Sequence, residues 1–284
     1  MPWPRGRSTI KVNLPGDGPR AAKIAMHGHK GADQVARALG QTGWEGFEAP
    51  LPSAVVRILR RWPGVLLDVG ANTGFYSLIA VASGPNTTAI AYEPVPAIVD
   101  MLRANLRLNR ASRRVTVEEL AIGDRSGRAT LHLPPPQPDG TIETSASLEP
   151  DFKEVIASSF EVRTSTLDDA WRASGEPAVT MVKVDVEGAE ARVLAGARGV
   201  ISTWRPVLSI EVLGAVDTGP LEEARVQNRY VDVTLAPRRA VVCPSVTVDP
   251  AAPNHLLVPE ERLAAVVEEL GQIDGLAVVD ASAG

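Results

Sequence analysis

The chain has 284 residues, of which 44% are hydrophobic and 22% charged, and this composition excludes wholesale disorder. Its 29 Lys and Arg residues against 34 Asp and Glu give a net charge of −5, which argues against a nucleic-acid-binding surface over the whole protein. Cys243 is the only cysteine in the sequence, so an intramolecular disulfide and a cysteine-based zinc site are excluded.

Nothing in the sequence predicts secretion or membrane insertion. Residues 15–18 place proline and glycine where a signal peptide needs its apolar core, and no apolar run approaches the roughly 20 residues that span a bilayer. We therefore expect a cytoplasmic protein with neither a nucleic acid nor a membrane as partner. The sequence leaves the oligomeric state open, and a homodimer is one of the states that it allows.

The beginning of the chain has the pattern of an appendage, which could act as a substrate lid. Its residue spacing predicts a strand over residues 8–14 and short helices over 32–39 and 52–61. We predict that the appendage covers residues 1–60 and that a single domain covers 61–284.

From residue 65 onward, short apolar runs alternate with helical periodicity, which indicates a parallel sheet with crossover helices. The predicted strands cover residues 65–69, 88–92, 115–119, 131–133, 179–184 and 207–212. The predicted helices cover residues 75–83, 188–198 and 259–271, and a further helix opens at Pro96. This order of elements predicts a doubly wound, mostly parallel, Rossmann-like α/β fold.

A glycine-rich segment, Asp-Val-Gly-Ala-Asn-Thr-Gly over residues 68–74, follows the first strand of this sheet. Open α/β sheets bind ligands at such strand ends, and Gly70 and Gly74 allow the backbone to approach a ligand closely. Glu93 ends the next strand, where an acidic residue can accept hydrogen bonds from both ribose hydroxyls of a nucleoside. The combination predicts a cofactor site for a nucleoside.

The type of nucleoside follows from the residues between the glycines. The dinucleotide pattern G-x-G-x-x-G fails because Asn72 and Phe75 stand where its second and third glycines belong, and the phosphate-binding loop of ATPases does not occur. Asp68 at the strand end suits a cofactor with a cationic amino-acid end. The pattern therefore favours S-adenosylmethionine over NAD.

These residues resemble the motifs of FkbM-type methyltransferases. The resemblance begins with DVGANTGFY at 68–76 and YEPVP at 92–96, continues through AIGD at 121–124 and TLDD at 166–169, and is most specific in VKVDVEGAE at 182–190. It implies a seven-stranded class I methyltransferase sheet that binds S-adenosyl-L-methionine. It also implies methyl transfer to a hydroxyl of a small molecule, namely a sugar, a glycoside or a polyketide-type natural product.

The resemblance further implies a set of cofactor-binding residues, in which Ala121 and Ile122 line the adenine unless they are simply part of the core. The complete set is Asp68, Gly70, Asn72, Gly74, Phe75, Glu93, Pro94, Ala121 and Ile122. Family members often carry a histidine two residues after the Glu that ends the next strand. Here Leu213 stands at that position, so a role that depends on this histidine does not transfer.

For catalysis, Asp185 at the end of a buried strand is our first choice as the general base, with a helix cap as the alternative role. Lys183 precedes it by two residues, hence points to the same face, and could orient Asp185 or contact the acceptor. Glu187 is a further catalytic candidate. Glu190 at the helix start is better explained by the helix dipole.

Other site features stay open at the level of the sequence. Asp185, Glu187 and Glu211 could together hold Mg²⁺ through oxygen ligands, but spacing does not show that they converge, and we assign no metal ligand. Ser145 and Ser147 follow a proline-rich loop and could reach the active site or stay in solvent.

His27 and His29, in a glycine-rich segment of the appendage, could supply a base from a lid or belong to an ordinary surface loop. The alternative functions are an N-methyltransferase, a nicotinamide-dependent reductase and a non-catalytic cofactor-binding module.

Overall fold

The computed structural model describes residues 9–14, 23–29, 32–44, 46–135, 147–148, 156–214 and 217–281. Its first elements are an antiparallel hairpin and two helices: β1 (Thr9–Asn13), β2 (Lys23–His27), α1 (Gln34–Thr42) and α2 (Leu51–Arg61). The predicted strand and both predicted helices are confirmed, whereas β2 is a strand that the sequence did not predict. Side chains of all four elements, such as Met26 and Ile58, belong to the same hydrophobic core as Ile79 of the domain that follows. The core is therefore continuous across residue 60.

The first half of the main sheet alternates parallel strands and helices. Its elements are β3 (Val65–Val69), α3 (Phe75–Ser83), β4 (Thr88–Tyr92), α4 (Pro96–Leu108) and β5 (Val115–Glu118). Every residue of β3 is buried, as its uninterrupted apolar run requires for a strand covered on both faces. The predicted bounds of β3, α3 and β4 are confirmed.

A separate three-stranded sheet follows, with β6 (Ala121–Gly123), β7 (Gly127–Leu133) and β8 (Ser158–Thr166). Strand β8 lies in the middle, parallel to β6 and antiparallel to β7. The sequence predicted only the end of β7. The rest was missed because β7 and β8 are mainly polar and half-exposed and therefore lack an apolar run.

The chain then returns to the main sheet through α5 (Leu167–Ala173), β9 (Val179–Val184), α6 (Glu190–Ala195), α7 (Arg198–Trp204) and β10 (Val207–Glu211). The single helix predicted over 188–198 is wrong, because the chain forms two short helices that meet at Gly196. A Cβ atom at Gly196 would lie only 2.2 Å from the carbonyl oxygen of Gly123. The backbone turns at this close approach, and the first helix ends there.

The last third of the described chain contributes four strands of the main sheet. Its elements are α8 (Gly219–Gln227), β11 (Tyr230–Ala236), β12 (Arg239–Cys243), β13 (Asn254–Pro259), α9 (Leu263–Gly271) and β14 (Ala277–Asp280). Strands β11, β12 and β13 have antiparallel neighbours, and the final strand, β14, pairs parallel with β12. Helix α9 begins four residues later than predicted, because Glu260–Arg262 form a 3-10 turn. Asp232 and His255 are fully buried here and contact each other at 3.0 Å.

In the described residues the main sheet has nine strands in the order β14-β12-β11-β13-β10-β9-β3-β4-β5. The five strands from β10 to β5 are parallel, and helices cover both faces of the sheet. The predicted doubly wound, mostly parallel α/β fold is thus confirmed. The seven strands from β11 to β5 form the predicted seven-stranded sheet, which β12 and β14 extend at one edge.

The neighbours of β3 are β4 on one side and β9 on the other. Chain order therefore reverses at β3, and this is the place where open α/β sheets bind ligands. Over the described part of the chain, no helix combines the length and apolarity needed to cross a membrane.

Candidate active site

A cleft of about 610 Å³ opens at the carboxyl ends of β3, β4 and β9. Eight of the twelve predicted site residues line it: Gly70, Asn72, Glu93, Pro94, Ala121, Ile122, Asp185 and Glu187. The remaining wall is formed by Tyr92, Leu120, Leu131, Leu148 and Val186. Of the predicted residues, Asp68, Gly74, Phe75 and Lys183 are absent from this wall.

Gly70 brings the ends of three strands together. Its backbone N–H and that of Ala71 both donate to the carbonyl oxygen of Tyr92, at 3.0 Å each. Gly70 has a φ of 77°, and a Cβ atom here would lie 1.8 Å from the carbonyl oxygen of Asp185. A side chain at this position would therefore push the glycine loop away from the end of β9.

The Glu93 carboxylate accepts two backbone hydrogen bonds inside the cleft. Oε2 accepts from the N–H of Asn72 and Oε1 from the N–H of Val95, both at 3.0 Å. Burial raises the pKa of Glu93 to about 7, because the loss of solvent outweighs these two bonds. Each carboxylate oxygen keeps a second lone pair, so Glu93 can still accept hydrogen bonds from a ligand.

Asp68 lies behind the glycine loop and is 1% exposed. Its Oδ2 accepts a hydrogen bond of 2.7 Å from the hydroxyl of Ser77. Its Oδ1 is buried and accepts no hydrogen bond from the described residues. Burial raises the pKa of Asp68, although the charge of Lys183 opposes this shift. A buried acceptor without a donor is costly, and a bound ligand with a cationic donor would satisfy it.

Lys183 and Asp185 form an ion pair at the end of β9, with Nζ 2.7 Å from Oδ2. Burial alone would lower the pKa of Lys183, but the carboxylates of Asp185, Glu48 and Asp68 outweigh it and raise that pKa. Lys183 is therefore a buried cation. Its Nζ also lies 4.7 Å from the ring centroid of Tyr76, which is a cation–π contact.

Two residues of this polar cluster were not predicted. The hydroxyl of Tyr76 donates to Oε2 of Glu48 at 2.5 Å, and both side chains contribute to the electrostatic surroundings of Lys183 and Asp185. Burial raises the pKa of Glu48, while the charge of Lys183 lowers it. Tyr76 lies in the DVGANTGFY motif, but the sequence assigned no role to it. Glu48 lies in the N-terminal 60 residues, where no motif links it to the site.

Glu211 ends β10 next to Asp185. The register pairs Lys183 with Ser209, so the residues two positions later lie side by side on the same face. Burial, the charge of Asp185 and a hydrogen bond to Asp185 raise the pKa of Glu211 to about 9. Glu211 is therefore protonated near neutral pH and can donate a hydrogen bond to Asp185.

Within the described residues, no group of three or more His, Cys, Asp or Glu side chains is arranged to hold a metal ion. The hypothesised magnesium ligands therefore do not form a metal site in this part of the chain.

The loop after β9 is held in place by Glu190, whose Oε1 accepts from the N–H groups of Val186 and Gly188 at 3.2 Å each. This supports the structural role expected for Glu190. The hydroxyl of Ser147 donates to the carbonyl oxygen of Glu187 at 2.7 Å, so the chain after the proline-rich loop does reach the cleft. Ser145 lies outside the described residues, as does most of that loop.

The apolar wall of the cleft includes Ala121, Ile122, Leu131 and Leu148. Ile122 is 2% exposed and packs in the core below the cleft. The two roles considered for Ala121 and Ile122 are therefore compatible, since each residue is part of a core cluster and also of the cleft wall.

Several predicted residues lie away from the cleft wall. Phe75 packs in an aromatic cluster, with its ring centroid 5.9 Å from that of Trp44 and 5.2 Å from that of Phe47. Gly74 begins α3 and faces Leu102. The rings of His27 and His29 lie 5.6 Å apart, outside the described lining of the cleft, and burial lowers the pKa of His29.

Residues 68–226, more than half of the chain, match the methyltransferase FkbM domain. The chain belongs to the FkbM methyltransferase domain family. This membership favours the methyltransferases over the nicotinamide-dependent reductases, the two enzyme classes left open by the sequence motifs.

Among its relatives, the 31-O-demethyl-FK506 methyltransferase FkbM of Streptomyces tacrolimicus is 31% identical over 157 residues, which cover 47% of this chain and 60% of the relative. The 2-O-methyltransferase NoeI of Sinorhizobium fredii is 27% identical over 176 residues, covering 57% and 70% of the two chains. The chain thus spans less than two thirds of the length of the first of these relatives.

A crystal structure of the methyltransferase FkbM from Methylobacillus flagellatus matches with 19% identity and a TM-score of 0.46, covering 68% of this chain and 43% of the other. A superposition this loose adds nothing to the family assignment, which rests on the sequence match and agrees with the sheet topology.

Proposed function

We propose that this protein is an S-adenosylmethionine-dependent O-methyltransferase that acts on a hydroxyl of a small molecule such as a sugar or a polyketide-type product. The observation that carries the proposal is the pair of acidic groups at neighbouring strand ends. Asp68 has a buried oxygen without a donor, and Glu93 presents a carboxylate with spare acceptor capacity in the cleft.

The residues of the cleft fit the proposed cofactor. The Glu93 carboxylate would accept hydrogen bonds from the ribose hydroxyls, and the apolar wall at Ala121 and Ile122 would contact the adenine. Asp68 lies behind the glycine loop and not in the cleft wall, so its Oδ1 would accept a hydrogen bond from the α-ammonium group only where that group reaches past the loop. When bound, S-adenosylmethionine supplies an electrophilic methyl group on a cationic sulfur. The carboxylates around the cleft favour a cationic ligand over a neutral one of the same shape.

The acceptor needs a group that removes the proton of its hydroxyl as the new bond forms. Asp185 lines the cleft, with its side chain 28% exposed, while the buried Lys183 holds one of its oxygens from behind. We assign the general base to Asp185 and its orientation to Lys183. The ion pair with Lys183 holds Asp185 in one orientation, and correct positioning of the acceptor has to supply much of the rate.

The preference for oxygen over nitrogen as the accepting atom rests on the relatives, two of which carry O-methyltransferase activity in their names. An N-methyltransferase would use the same cofactor residues. It would depend less on Asp185, because an unprotonated amine is already a good nucleophile.

Cofactor binding can be tested without knowing the acceptor. S-adenosylhomocysteine should raise the melting temperature of the wild-type protein and give a measurable Kd in calorimetry, while NADH should do neither. Asp68→Ala and Glu93→Ala should remove the effect, and Asp274→Ala on the exposed surface should retain it. If S-adenosylhomocysteine neither raises the melting temperature of the wild-type protein nor binds in calorimetry, the proposed function is ruled out.

The acceptor class needs a second experiment. Transfer of a labelled methyl group would be measured against a panel of glycosides, polyketides and amines, with and without EDTA. We expect labelled methyl ethers and no effect of EDTA. If only the amines become labelled, the protein is an N-methyltransferase. If EDTA abolishes methyl transfer, the reaction requires a metal ion.

A further inference from the structure

We infer that Asp33 is a positioning residue for the cofactor loop: its carboxylate holds Thr73 and so makes cofactor affinity depend on the N-terminal segment. This inference rests on the proposed function, because it concerns the same loop. It adds a residue that lies outside the matched FkbM domain, which begins at residue 68.

Asp33 and Thr73 meet across 40 positions of sequence, and both are fully buried. Oδ1 of Asp33 accepts one hydrogen bond of 2.9 Å from the N–H of Ala36 and another of 3.2 Å from the hydroxyl of Thr73. The first bond caps α1, which is an ordinary role for Asp. The second bond is not needed for the cap, and it ties this helix start to the glycine loop.

The backbone of Thr73 is held on its other side by α4. Nδ2 of Asn105 donates to the carbonyl oxygen of Thr73 at 2.8 Å, and Oδ1 of Asn105 accepts from the N–H of His27 at 2.7 Å. One turn later, Asn109 repeats the connection by bonding both the N–H and the carbonyl of Ala25. Strand β2 is therefore fixed to the helix that also fixes Thr73.

Thr73 is bonded to Asn72, its neighbour in the wall of the cleft. The N–H of Thr73 donates to Oδ1 of Asn72 at 2.8 Å, and the N–H of Asn72 donates to Glu93 at 3.0 Å. Asn72 lines the cleft and has a φ of 52°, a left-handed conformation that asparagine adopts more readily than most residues and that its bonds to Thr73 and Glu93 hold here. Movement of Thr73 would therefore displace Asn72 and Glu93, the residues proposed to meet the cofactor.

The test compares two matched pairs of variants by the Kd of S-adenosylhomocysteine in calorimetry. Thr73→Val deletes the hydroxyl at constant shape, whereas Thr73→Ser keeps it. Asp33→Ser caps a helix as well as Asp does but is too short to reach Thr73, whereas Asp33→Asn caps and also reaches. We expect Thr73→Val and Asp33→Ser each to raise Kd about fivefold, and the two conservative variants to stay within about twofold of wild type.

The double variant Asp33→Ser/Thr73→Val should bind no more weakly than Asp33→Ser alone, because that substitution already removes the bond to Thr73 together with the contact between Asp33 and Asn105. A melting temperature is measured for every protein, with Kd taken far below it. If Thr73→Val or Asp33→Ser lowers the melting temperature but leaves Kd unchanged, the bond between Asp33 and Thr73 stabilises the fold only. That result would overturn this inference and leave the proposed function intact. A wild-type protein without affinity for S-adenosylhomocysteine would overturn it together with the proposed function.

Discussion

Nζ of Lys183 lies 2.7 Å from Oδ2 of Asp185, and the lysine side chain is 5% exposed while the aspartate side chain is 28% exposed. The cation of this pair is thus buried in the sheet, and the anion faces the cleft. Because Asp185 is also beside Glu211, its carboxylate is restrained by a positive neighbour and by a protonated one. Such an arrangement fixes the direction in which Asp185 presents its carboxylate to the cleft.

Asp185→Asn should lower kcat by about 10²- to 10⁴-fold, because the amide keeps the shape of the side chain but cannot accept the proton. The Kd of S-adenosylhomocysteine should change by no more than about twofold, since the proposed cofactor contacts lie at other residues. Single-turnover methyl transfer and calorimetry measure the two quantities. Asp274→Asn on the surface is the control, and an unchanged kcat in Asp185→Asn would show that the base lies elsewhere.

Glu93 should give cofactor binding a pH dependence near neutrality. Its pKa is raised to about 7 in the folded protein, so its contribution to stability is full below the unfolded value of about 4.5 and is lost as pH rises through 7. Ribose hydroxyls bind the ionised form better. The affinity for S-adenosylhomocysteine should therefore increase several-fold, up to about tenfold, between pH 6 and pH 8.

Glu93→Gln should weaken cofactor binding and remove this pH dependence. The measurement is calorimetry at several pH values in two buffers of different ionisation enthalpy, which also counts the protons released on binding. An equally steep pH profile in wild type and Glu93→Gln would assign the dependence to another group.

Glu211 should make the free energy of unfolding depend on pH between about 4.5 and 9. Its pKa is raised to about 9 by burial and by Asp185, so its stabilising contribution is full below about pH 4.5 and is lost as pH rises through 9. Gln imitates the protonated side chain. Glu211→Gln should thus match wild type near pH 4.5 and lose less melting temperature than wild type between pH 5 and pH 9; parallel curves over this range would contradict the raised pKa of Glu211.

Gly70 and Gly43 form a matched pair for the loop geometry. Both have a left-handed backbone, with φ values of 77° and 70°, but a Cβ at Gly43 would meet nothing within 4 Å, whereas one at Gly70 would lie 1.8 Å from Asp185. Gly43→Ala should cost about 1–3 kcal/mol of the free energy of unfolding from the backbone alone, because its φ of 70° and ψ of −174° lie in a region used almost only by glycine. Gly70→Ala should cost more and abolish S-adenosylhomocysteine binding.

Urea unfolding and calorimetry separate the two glycine variants. If both substitutions cost the same free energy and leave cofactor affinity intact, the close approach between Gly70 and Asp185 does not shape the cleft.

The parallel half of the sheet could be predicted because its strands are buried on both faces and therefore appear as apolar runs, as in β3 and β9. The C-terminal strands escaped prediction because they contain buried polar residues. Thr234 and His255 each bond to Asp232 inside β11 and β13, and these buried polar residues interrupt the apolar runs.

The site was predictable where position along a strand decides it. Gly70, Glu93 and Asp185 each follow a parallel strand, and the carboxyl ends of such strands converge on one cleft. Asp33 and Glu48 were not predictable, because tertiary packing of the N-terminal segment brings them to the loop and to the Lys183 cluster. Neither residue lies in a motif or a periodic pattern that links it to the site.

Strand β13 lies between β10 and β11, although it follows both in the chain. During synthesis, β10 leaves the ribosome with an unpaired edge that stays open until residues 254–259 emerge and pair with it. Exposed strand edges pair readily with other chains, so misassembly of the nascent chain can begin in this interval. A chain whose synthesis ends before residue 254 would therefore have a sheet in which the edge of β10 is unpaired.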